Sequence, residues 1–339
     1  MKHSRRTAFV IASFAFALGT IEPLQAQSGE ATLDVVASFS ILGDLARQVG
    51  GDRVDVVTLV GPGGDAHVYE PSPSDAARTA EADMVIVNGL GFEGFIERLI
   101  EASGTTAPVV TATAGIEPRE PGEHHRDRDD DNQHGHVEKD HSGAGHHDDG
   151  HDKGGEHGHG HDGAFDPHAW HSVSNARVYV SNIADGLCEA DAEGCETYRS
   201  NAETYLGELE ALEAELDAAL GALPEDKRTL IVSHDAFGYL GDAYGLTILA
   251  PQGISTEAEA SAADIARLID QIRKDGASAV FVESVADPRL VERIADETGI
   301  AVGGTLYSGA LSDADGPAGT YIEMMRHNAA TIASAVAGS

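Results

Sequence analysis

The stretch LDVVASFSILGDLARQVGGDRVDVVTLV, residues 33–60, indicates the architecture of the whole chain. Two Val-rich apolar runs flank an amphipathic segment that ends in a pair of glycines. Short, continuously apolar runs are typical of parallel strands that are buried on both faces. A parallel pair needs a crossover connection, which the amphipathic segment supplies as a helix. The stretch therefore predicts a strand, a helix and a second, parallel strand.

The same alternation extends over the rest of the chain. In the first half, DMVIVNG (83–89) and APVVTAT (107–113) predict two more strands, and SPSDAARTAEA (72–82) predicts a helix with Ser72 as its N-cap. The second half shows the same order, with the predicted strands TLIVS, LTILA, AVFVE and IAVGGTL. This alternation predicts an α/β fold of two Rossmann-like lobes, each with a parallel sheet.

A long helical segment lies between the halves. ETYRSNAETYLGELEALEAELDAALGAL (196–223) predicts one helix, about 40 Å long at 1.5 Å per residue. We predict that this rigid helix joins the lobes and that the cleft between them holds a metal site. The predicted domains are a signal peptide at 1–26, a first lobe at 27–180, a helical linker at 181–226 and a second lobe at 227–339.

The N-terminus has the pattern of a secretory signal peptide. Arg5 and Arg6 precede an apolar run that ends at Leu18, and the small residue Ala26 marks the expected cleavage site. No cysteine follows the run, so we expect no lipid anchor there, and no later segment is long and apolar enough to span a membrane. We therefore expect a soluble, monomeric protein in the periplasm.

Composition restricts the partners and the redox state of the chain. The formal net charge of −35 argues against nucleic-acid binding, because phosphates require a basic surface. The two cysteines, Cys188 and Cys195, are expected to form a disulfide in an oxidising compartment, worth roughly 2–3 kcal/mol. Their spacing matches no common zinc motif.

Residues 117–163 interrupt the alternation with a low-complexity insert rich in His, Asp and Glu. A segment of this composition cannot bury a core, so we assign it no secondary structure. Imidazoles beside carboxylates attract divalent cations, which predicts metal capture; a merely solvated charged segment is the alternative. The insert contains eleven of the 17 histidines: His124, His125, His134, His136, His141, His146, His147, His151, His157, His159 and His161.

Three histidines outside the insert lie at the carboxyl ends of predicted strands, where parallel sheets bind ligands. His67 is in the loop after VDVVTLV, His234 follows TLIVS at the expected start of a helix, and His168 lies where the chain leaves the insert. A lone histidine at such a place is more often structural than a ligand. These three come from both lobes, however, so they can converge in the cleft as a nitrogen-rich site that suits zinc.

Other residues have simpler interpretations. We interpret His171 as a residue of the cleft rim, His327 as structural, and the segment with Glu257 and Glu259 as a loop with a capping box rather than a cleft lining. Trp170 is expected to pack where the chain leaves the insert. The glycines of NGLGFEG have dinucleotide-loop spacing, but they do not follow the first strand and lack the required acidic residue, so we predict a tight turn.

Long motifs around these residues resemble the zinc/manganese class of periplasmic solute-binding proteins that serve ABC transporters. The resemblance covers the chain after the signal peptide, except for the insert. It implies a Zn²⁺-binding protein without enzymatic activity that delivers its ion to an inner-membrane ABC permease. The motifs are GGDAHVYEPSPSD, DPHAW, SHDAFGYLGDAYGL, QGISTEAEASAADI, VFVESVADPRLVERIA and DGPAGTYIEMMRHN.

The resemblance also implies a ligand set. In that class the histidines of D-x-H-x-Y-E-P, D-P-H-x-W and S-H-x-A-F-x-Y bind the metal, and here these are His67, His168 and His234. Manganese-selective relatives usually have a carboxylate at the third position, so His234 favours zinc. The class commonly has a fourth ligand in L-Y-S-D-A-L-S, where this chain has Gly309. Asp313 reaches the metal only if its loop rearranges, and water is the alternative fourth ligand.

Two other functions fit the same residues. Three imidazoles and a water are also the geometry of zinc hydrolases and lyases, but no H-E-x-x-H or similar motif supplies a general base. A periplasmic buffer or store for zinc, nickel or copper, in which the insert is the main binding segment, is the other alternative. A metal titration of insert-deleted protein distinguishes it, because a buffer would lose nearly all of its binding.

Overall fold

The computed structural model describes residues 32–120 and 165–338. The predicted signal peptide and nearly all of the histidine-rich insert lie outside these described residues. Within them, strands and helices alternate in both halves of the chain, as predicted.

The first half contains a parallel sheet of four strands in the order β2-β1-β3-β4. Its order reverses between β1 and β3, and ligands bind at the carboxyl ends of strands beside such a reversal. The strands are β1 Leu33–Phe39, β2 Val54–Val60, β3 Met84–Val87 and β4 Val109–Thr111. The connecting helices are α1 Ser40–Gly50, α2 Pro73–Glu81 and α3 Ile96–Ser103.

The second half repeats this topology. Its four parallel strands have the equivalent order β6-β5-β7-β8, with the reversal between β5 and β7. The strands are β5 Thr229–Ile231, β6 Thr247–Leu249, β7 Ala279–Glu283 and β8 Val302–Leu306. The helices of this half are α6 Gly238–Tyr244, α7 Ala262–Asp275, α8 Pro288–Thr298 and α9 Tyr321–Gly338.

Two helices lie between the sheets in the sequence, α4 Val173–Ala190 and α5 Cys195–Gly221. Helix α5 has 27 residues and is thus about 40 Å long, which confirms the predicted long helix. It packs against α1 of the first half and α9 of the second, so it contacts both. The predicted disulfide joins Cys188 in α4 to Cys195 at the start of α5.

Most buried apolar side chains form one continuous core that includes residues of both sheets. A smaller cluster lies between the second sheet and helices α7 and α8. The two halves are thus held together by packing as well as by α5. The domain boundaries at residues 180 and 226 remain predictions. Over the described ranges, no helix combines the length and the apolar character needed to cross a membrane.

Helix α2 begins where its sequence signals indicate, and this start fixes the loop before it. Ser72 is the N-cap: its side chain accepts a hydrogen bond from the backbone N–H of Asp75, and the Asp75 carboxylate accepts one from the backbone N–H of Ser72 at 2.7 Å. Pro73 is the first helical residue. Residues 61–72 therefore form a loop held at both ends, between β2 and α2.

Candidate metal site

The three histidines from separate segments meet at one point between the sheets. One ring nitrogen of each of His67, His168 and His234 lies within 4.8 Å of those of the other two. The Nε2 atoms of His67 and His168 are 3.2 Å apart. His168 and His234 are buried and His67 is partly buried. The arrangement leaves a space walled by imidazole nitrogens, where a small cation fits.

His67 lies in the loop between β2 and α2 and is positioned by its neighbour Asp65. The Asp65 carboxylate accepts a hydrogen bond from the backbone N–H of His67 at 2.9 Å and one from the Thr256 hydroxyl at 2.6 Å. The loop also donates from the Gly63 N–H to the Leu311 carbonyl at 2.9 Å. Because Thr256 and Leu311 belong to the second half, the loop carrying His67 is tied to both halves.

His168 is oriented by the buried carboxylate of Asp166. One oxygen of Asp166 accepts from the His168 backbone N–H at 3.0 Å and contacts Nδ1 of the ring at 2.9 Å. With Nδ1 engaged, Nε2 is the nitrogen that faces the other histidines. Burial raises the pKa of Asp166 to about 7, although the His168 hydrogen bond and the Arg119 charge act in the opposite direction.

His234 has an equivalent partner, Glu283, across the reversal of the second sheet. Nδ1 of His234 lies 2.7 Å from Oε2 of Glu283, the last residue of β7. Oε1 of Glu283 accepts from the backbone N–H groups of Ser233 and His234 at 2.7 and 3.0 Å. His234 was expected at the start of a helix, which is wrong, because α6 begins only at Gly238. The hydrogen bonds from Ser233 and His234 to Glu283 hold the backbone before Gly238 in a loop.

The electrostatics of the site favour a cation at the Nε2 atoms. Burial lowers the pKa of His67 to about 3 and that of His168 well below its usual range, so both rings are neutral and able to bind metal. Burial alone would raise the pKa of Glu283, but the charge of His234 and its hydrogen bonds lower it to about 2. Glu283 therefore places negative charge behind His234, whereas Asp166, whose pKa is raised to about 7, is only partly charged at neutral pH.

Comparison with known proteins identifies the family. A family model described as ZnuA, zinc-uptake complex component A periplasmic, matches residues 35–335. The chain belongs to the ZnuA family. It is therefore an exported metal-binding protein of an ABC transport system and not an enzyme.

Relatives of this ZnuA-family chain have different metals in their names. It is 32% identical to the manganese-binding lipoprotein MntA of Halalkalibacterium halodurans, over 96% of this chain and 95% of that protein. It is 30% identical to the iron-binding protein YfeA of Yersinia pestis, over 88% and 85%. The structure of the periplasmic zinc-binding protein TroA of Treponema pallidum superposes with a TM-score of 0.74 at 26% identity, covering 90% of this chain and 99% of that one.

Gly309, where the resemblance implied a fourth ligand, offers no side-chain donor in this ZnuA-family member. A β-carbon added to Gly309 would have one neighbour within 4 Å, Cζ of Phe92 at 3.9 Å, so the backbone there has room for a β-carbon. Asp313 is exposed, and its carboxylate is not in the histidine cluster of the described residues. Asp313 as a fourth ligand remains a prediction that this geometry does not support.

We expect Gly309→Asp to tighten zinc binding roughly tenfold, because it adds a carboxylate that can fill the fourth position and offset part of the metal charge. Asp313→Ala is the matched control and should leave the affinity unchanged, because Asp313 is exposed. Both variants are compared with the parent protein by competition against a chromogenic chelator at one pH and salt concentration. A large loss in Asp313→Ala without a gain in Gly309→Asp would mean that the loop supplies Asp313 instead.

The structure also decides the other sequence interpretations. His171 does not lie at the cleft rim: the short 3-10 helix Ala169–His171 turns it inward, where Nε2 bonds the Ser308 carbonyl at 2.9 Å. Trp170 is buried and packs as expected. His327 contacts the Thr305 carbonyl at 3.0 Å, as a structural residue would.

Two further interpretations are confirmed. Glu257 and Glu259 are exposed, and the capping box that follows them is formed by Ser261 with Asp264. The segment NGLGFEG makes a tight turn, with positive φ at Gly89, Leu90 and Gly91. Neither segment contributes to the histidine cluster.

The carboxylates of Asp166 and Glu283, which contact His168 and His234, were not predicted from the sequence. Asp166 is part of D-P-H, and Glu283 is the charged last residue of an otherwise apolar strand. An acidic residue at the end of a buried strand, at the carboxyl edge of a sheet, rarely lacks a partner. The position of Glu283 could therefore have indicated that it pairs with another group. Asp166 precedes a candidate ligand by two residues, but its pairing depends on the turn that the backbone makes there.

Proposed function

We propose that this protein captures Zn²⁺ through His67, His168 and His234 and delivers it to an inner-membrane ABC importer. The observation that carries the proposal is the set of three imidazole nitrogens within 4.8 Å of one another. Among the described residues, no carboxylate belongs to that cluster. Zinc accepts a nitrogen-rich, four-coordinate shell with water in an open position, whereas manganese prefers carboxylate and water oxygens.

The relatives support a divalent metal but not one metal in particular. Their names include manganese, iron and zinc, so we infer the metal preference of this chain from its own imidazole nitrogens. Asp166 and Glu283 occupy the places of the carboxylates that orient zinc-bound histidines in proteins. Both act on Nδ1 and leave Nε2 for the metal.

A competition experiment tests the choice of metal. The protein is titrated with Zn²⁺ in the presence of excess Mn²⁺, and the metal content is then measured by element-resolved mass spectrometry. We expect one equivalent of tightly bound zinc that manganese does not displace. The metal content of protein purified from the periplasm should agree. Retention of manganese over zinc in both measurements would contradict the proposal.

We propose that the protein acts as a free monomer in the periplasm. Both of its cysteines, Cys188 and Cys195, are in the disulfide, so neither is available for lipid attachment. Several relatives are named lipoproteins, so membrane anchoring is the alternative that has to be tested. Fractionation of cells and sedimentation of the purified protein test the location and the oligomeric state.

The histidine-rich insert would bind additional zinc more weakly than the cleft. This part of the proposal rests on its composition, because residues 121–164 lie outside the described structure. From this composition we expect no preformed site in the insert, and a site that is ordered only on binding has a lower affinity. Capture by the insert would raise the local zinc concentration near the cleft.

We expect deletion of residues 121–164 to remove the weak zinc sites and to keep one tight site. The weak sites of the intact protein should release zinc as the pH falls below about 6.5, where free imidazoles become protonated. Calorimetric titration of both proteins at two pH values checks this. If the deleted protein has no tight site, the insert is the main metal-binding segment and the protein is a buffer.

A further inference from the structure

Arg119 links the carboxylate behind His168 to the second half of the protein. Its guanidinium contacts Oδ2 of Asp166 at 3.4 Å and Oδ2 of Asp242 at 2.8 Å. Its backbone N–H donates to the Tyr239 hydroxyl at 2.8 Å, and its carbonyl accepts from the Asp166 N–H at 2.8 Å. Tyr239 and Asp242 belong to α6, in the second half. Arg119 therefore connects Asp166 to that helix.

The two oxygens of Asp166 have separate roles. Oδ1 is engaged by His168, through its backbone N–H and Nδ1, and Oδ2 is left to Arg119. The side chain of Asp166 is completely buried, and a buried carboxylate is costly unless an opposite charge and hydrogen bonds compensate it. In the described structure, Arg119 is the cation paired with this carboxylate. Arg119 thus restrains Oδ2, while the backbone N–H of His168 restrains Oδ1.

The first residue of α6 provides the space for Arg119. A β-carbon at Gly238 would lie 2.2 Å from Nη1 of Arg119 and 2.4 Å from its Cζ. The absence of a side chain at Gly238 thus allows the guanidinium to lie against the start of the helix. Gly238 has no positive φ, so the backbone itself does not require glycine there. Close packing of Arg119 is the remaining reason.

We propose that Arg119 is a positioning residue for metal binding, seated on Gly238, which fixes the Asp166 carboxylate and through it the His168 ring. The proposal rests on the proposed function, because it takes His168 as a ligand. A ligand with a loosened carboxylate partner binds metal more weakly, typically by about tenfold to a hundredfold. Arg119 acts one step further from the metal than Asp166, so the lower figure applies.

Three variants of the full-length protein test the proposal. Arg119→Met removes the charge, Gly238→Ala pushes the guanidinium away while the arginine remains, and the third variant combines both. Each single change should weaken binding of the first zinc equivalent about tenfold. The combined variant should be no weaker than Arg119→Met alone, because both changes act through the same contact. Arg119→Lys, which retains the charge without the planar fork, should restore part of the loss.

The visible spectrum of the Co²⁺-loaded protein gives a second readout that a general loss of stability would not produce. In Arg119→Met and Gly238→Ala the ligand-field bands should shift, because the His168 ring changes its orientation, whereas a loss of stability alone would lower the melting temperature of the metal-free protein and leave the bands in place. Arg177→Ala is the matched control: Arg177 pairs with Glu213 at 2.9 Å between α4 and α5, which carry no ligand. It should bind zinc as the parent does.

Two results would overturn the proposal. One is unchanged zinc affinity and Co²⁺ spectrum in both single variants, and the other is additive losses in the combined variant. His168→Ala, measured alongside, separates a failure of the proposed ligand set from a failure of the proposed role of Arg119. If His168→Ala binds zinc normally, the proposed ligand set is wrong; if it loses affinity and Arg119→Met does not, only the positioning role of Arg119 is wrong.

Discussion

Replacement of His234 by Ala is expected to weaken zinc binding at the tight site by roughly a hundredfold or more, since loss of a ligand costs more than loss of its partner carboxylate. His234 is buried and provides the only imidazole in the cluster from the second half. Its removal leaves His67 and His168, and two nitrogens do not complete a zinc shell. The affinity for the first zinc equivalent, measured by chelator competition, checks this.

His327→Ala is the matched control for His234→Ala. His327 also lies in the second half and contacts a backbone carbonyl, that of Thr305 at 3.0 Å, but it is outside the cluster. We expect its removal to leave the tight site unchanged. Circular dichroism of both variants shows whether the fold is retained. Equal zinc affinity in the parent and in a folded His234→Ala variant would remove His234 from the ligand set.

Glu283→Ala is expected to lower both the stability of the metal-free protein and its zinc affinity. The carboxylate is buried and bonded to His234 and to two backbone N–H groups, and removing one partner of such a pair costs about 3–5 kcal/mol. The zinc affinity should fall by about tenfold to a hundredfold, because Nδ1 of His234 loses its partner. Denaturant unfolding gives the first quantity and chelator competition the second.

The pH dependence of the stability follows from the carboxyl group of Glu283. The pKa of Glu283 is lowered from 4.5 to about 2 in the folded protein. Its contribution to stability is therefore fully present above the unfolded value and is lost as the pH falls through the folded one. The difference in the free energy of unfolding between the parent and Glu283→Ala should therefore shrink as the pH falls from 4.5 to about 2.

Glu215→Ala is the matched control for Glu283→Ala. Glu215 pairs with Arg326 at 2.7 Å, but both side chains are half exposed. Exposed ion pairs contribute little, so this variant should unfold like the parent. If Glu283→Ala unfolds like Glu215→Ala and binds zinc normally, Glu283 has no role in the site.

Much of the fold was predictable because its signals are local. The Val-rich runs and amphipathic segments identify the strands and helices of both halves, and the Ser72 capping box sets the start of α2. The strand-end rule selected His67, His168 and His234, and the resemblance implied the same three residues as ligands. The structure brings these three together.

The parts of the site that were not predicted depend on contacts between residues distant in the sequence. The periodicity of apolar residues gives no information about such contacts. Glu283 reaches His234 over 49 residues, and Arg119 reaches Tyr239 over 120. The inward turn of His171 likewise depends on packing against Phe237, with the ring centroids 4.5 Å apart. The sequence therefore indicated the three candidate ligands, whereas the groups that contact them became visible only in the structure.

Anomalous diffraction from crystals loaded with one equivalent of zinc shows whether His67, His168 and His234 bind the ion. Data collected above and below the zinc absorption edge locate the ion without reference to any assumed ligand. We expect one dominant peak about 2.0–2.1 Å from a ring nitrogen of each of His67, His168 and His234, with water or another oxygen in the fourth position. A dominant peak that lacks any one of these three histidines, or that lies elsewhere in the chain, would contradict the proposed ligand set.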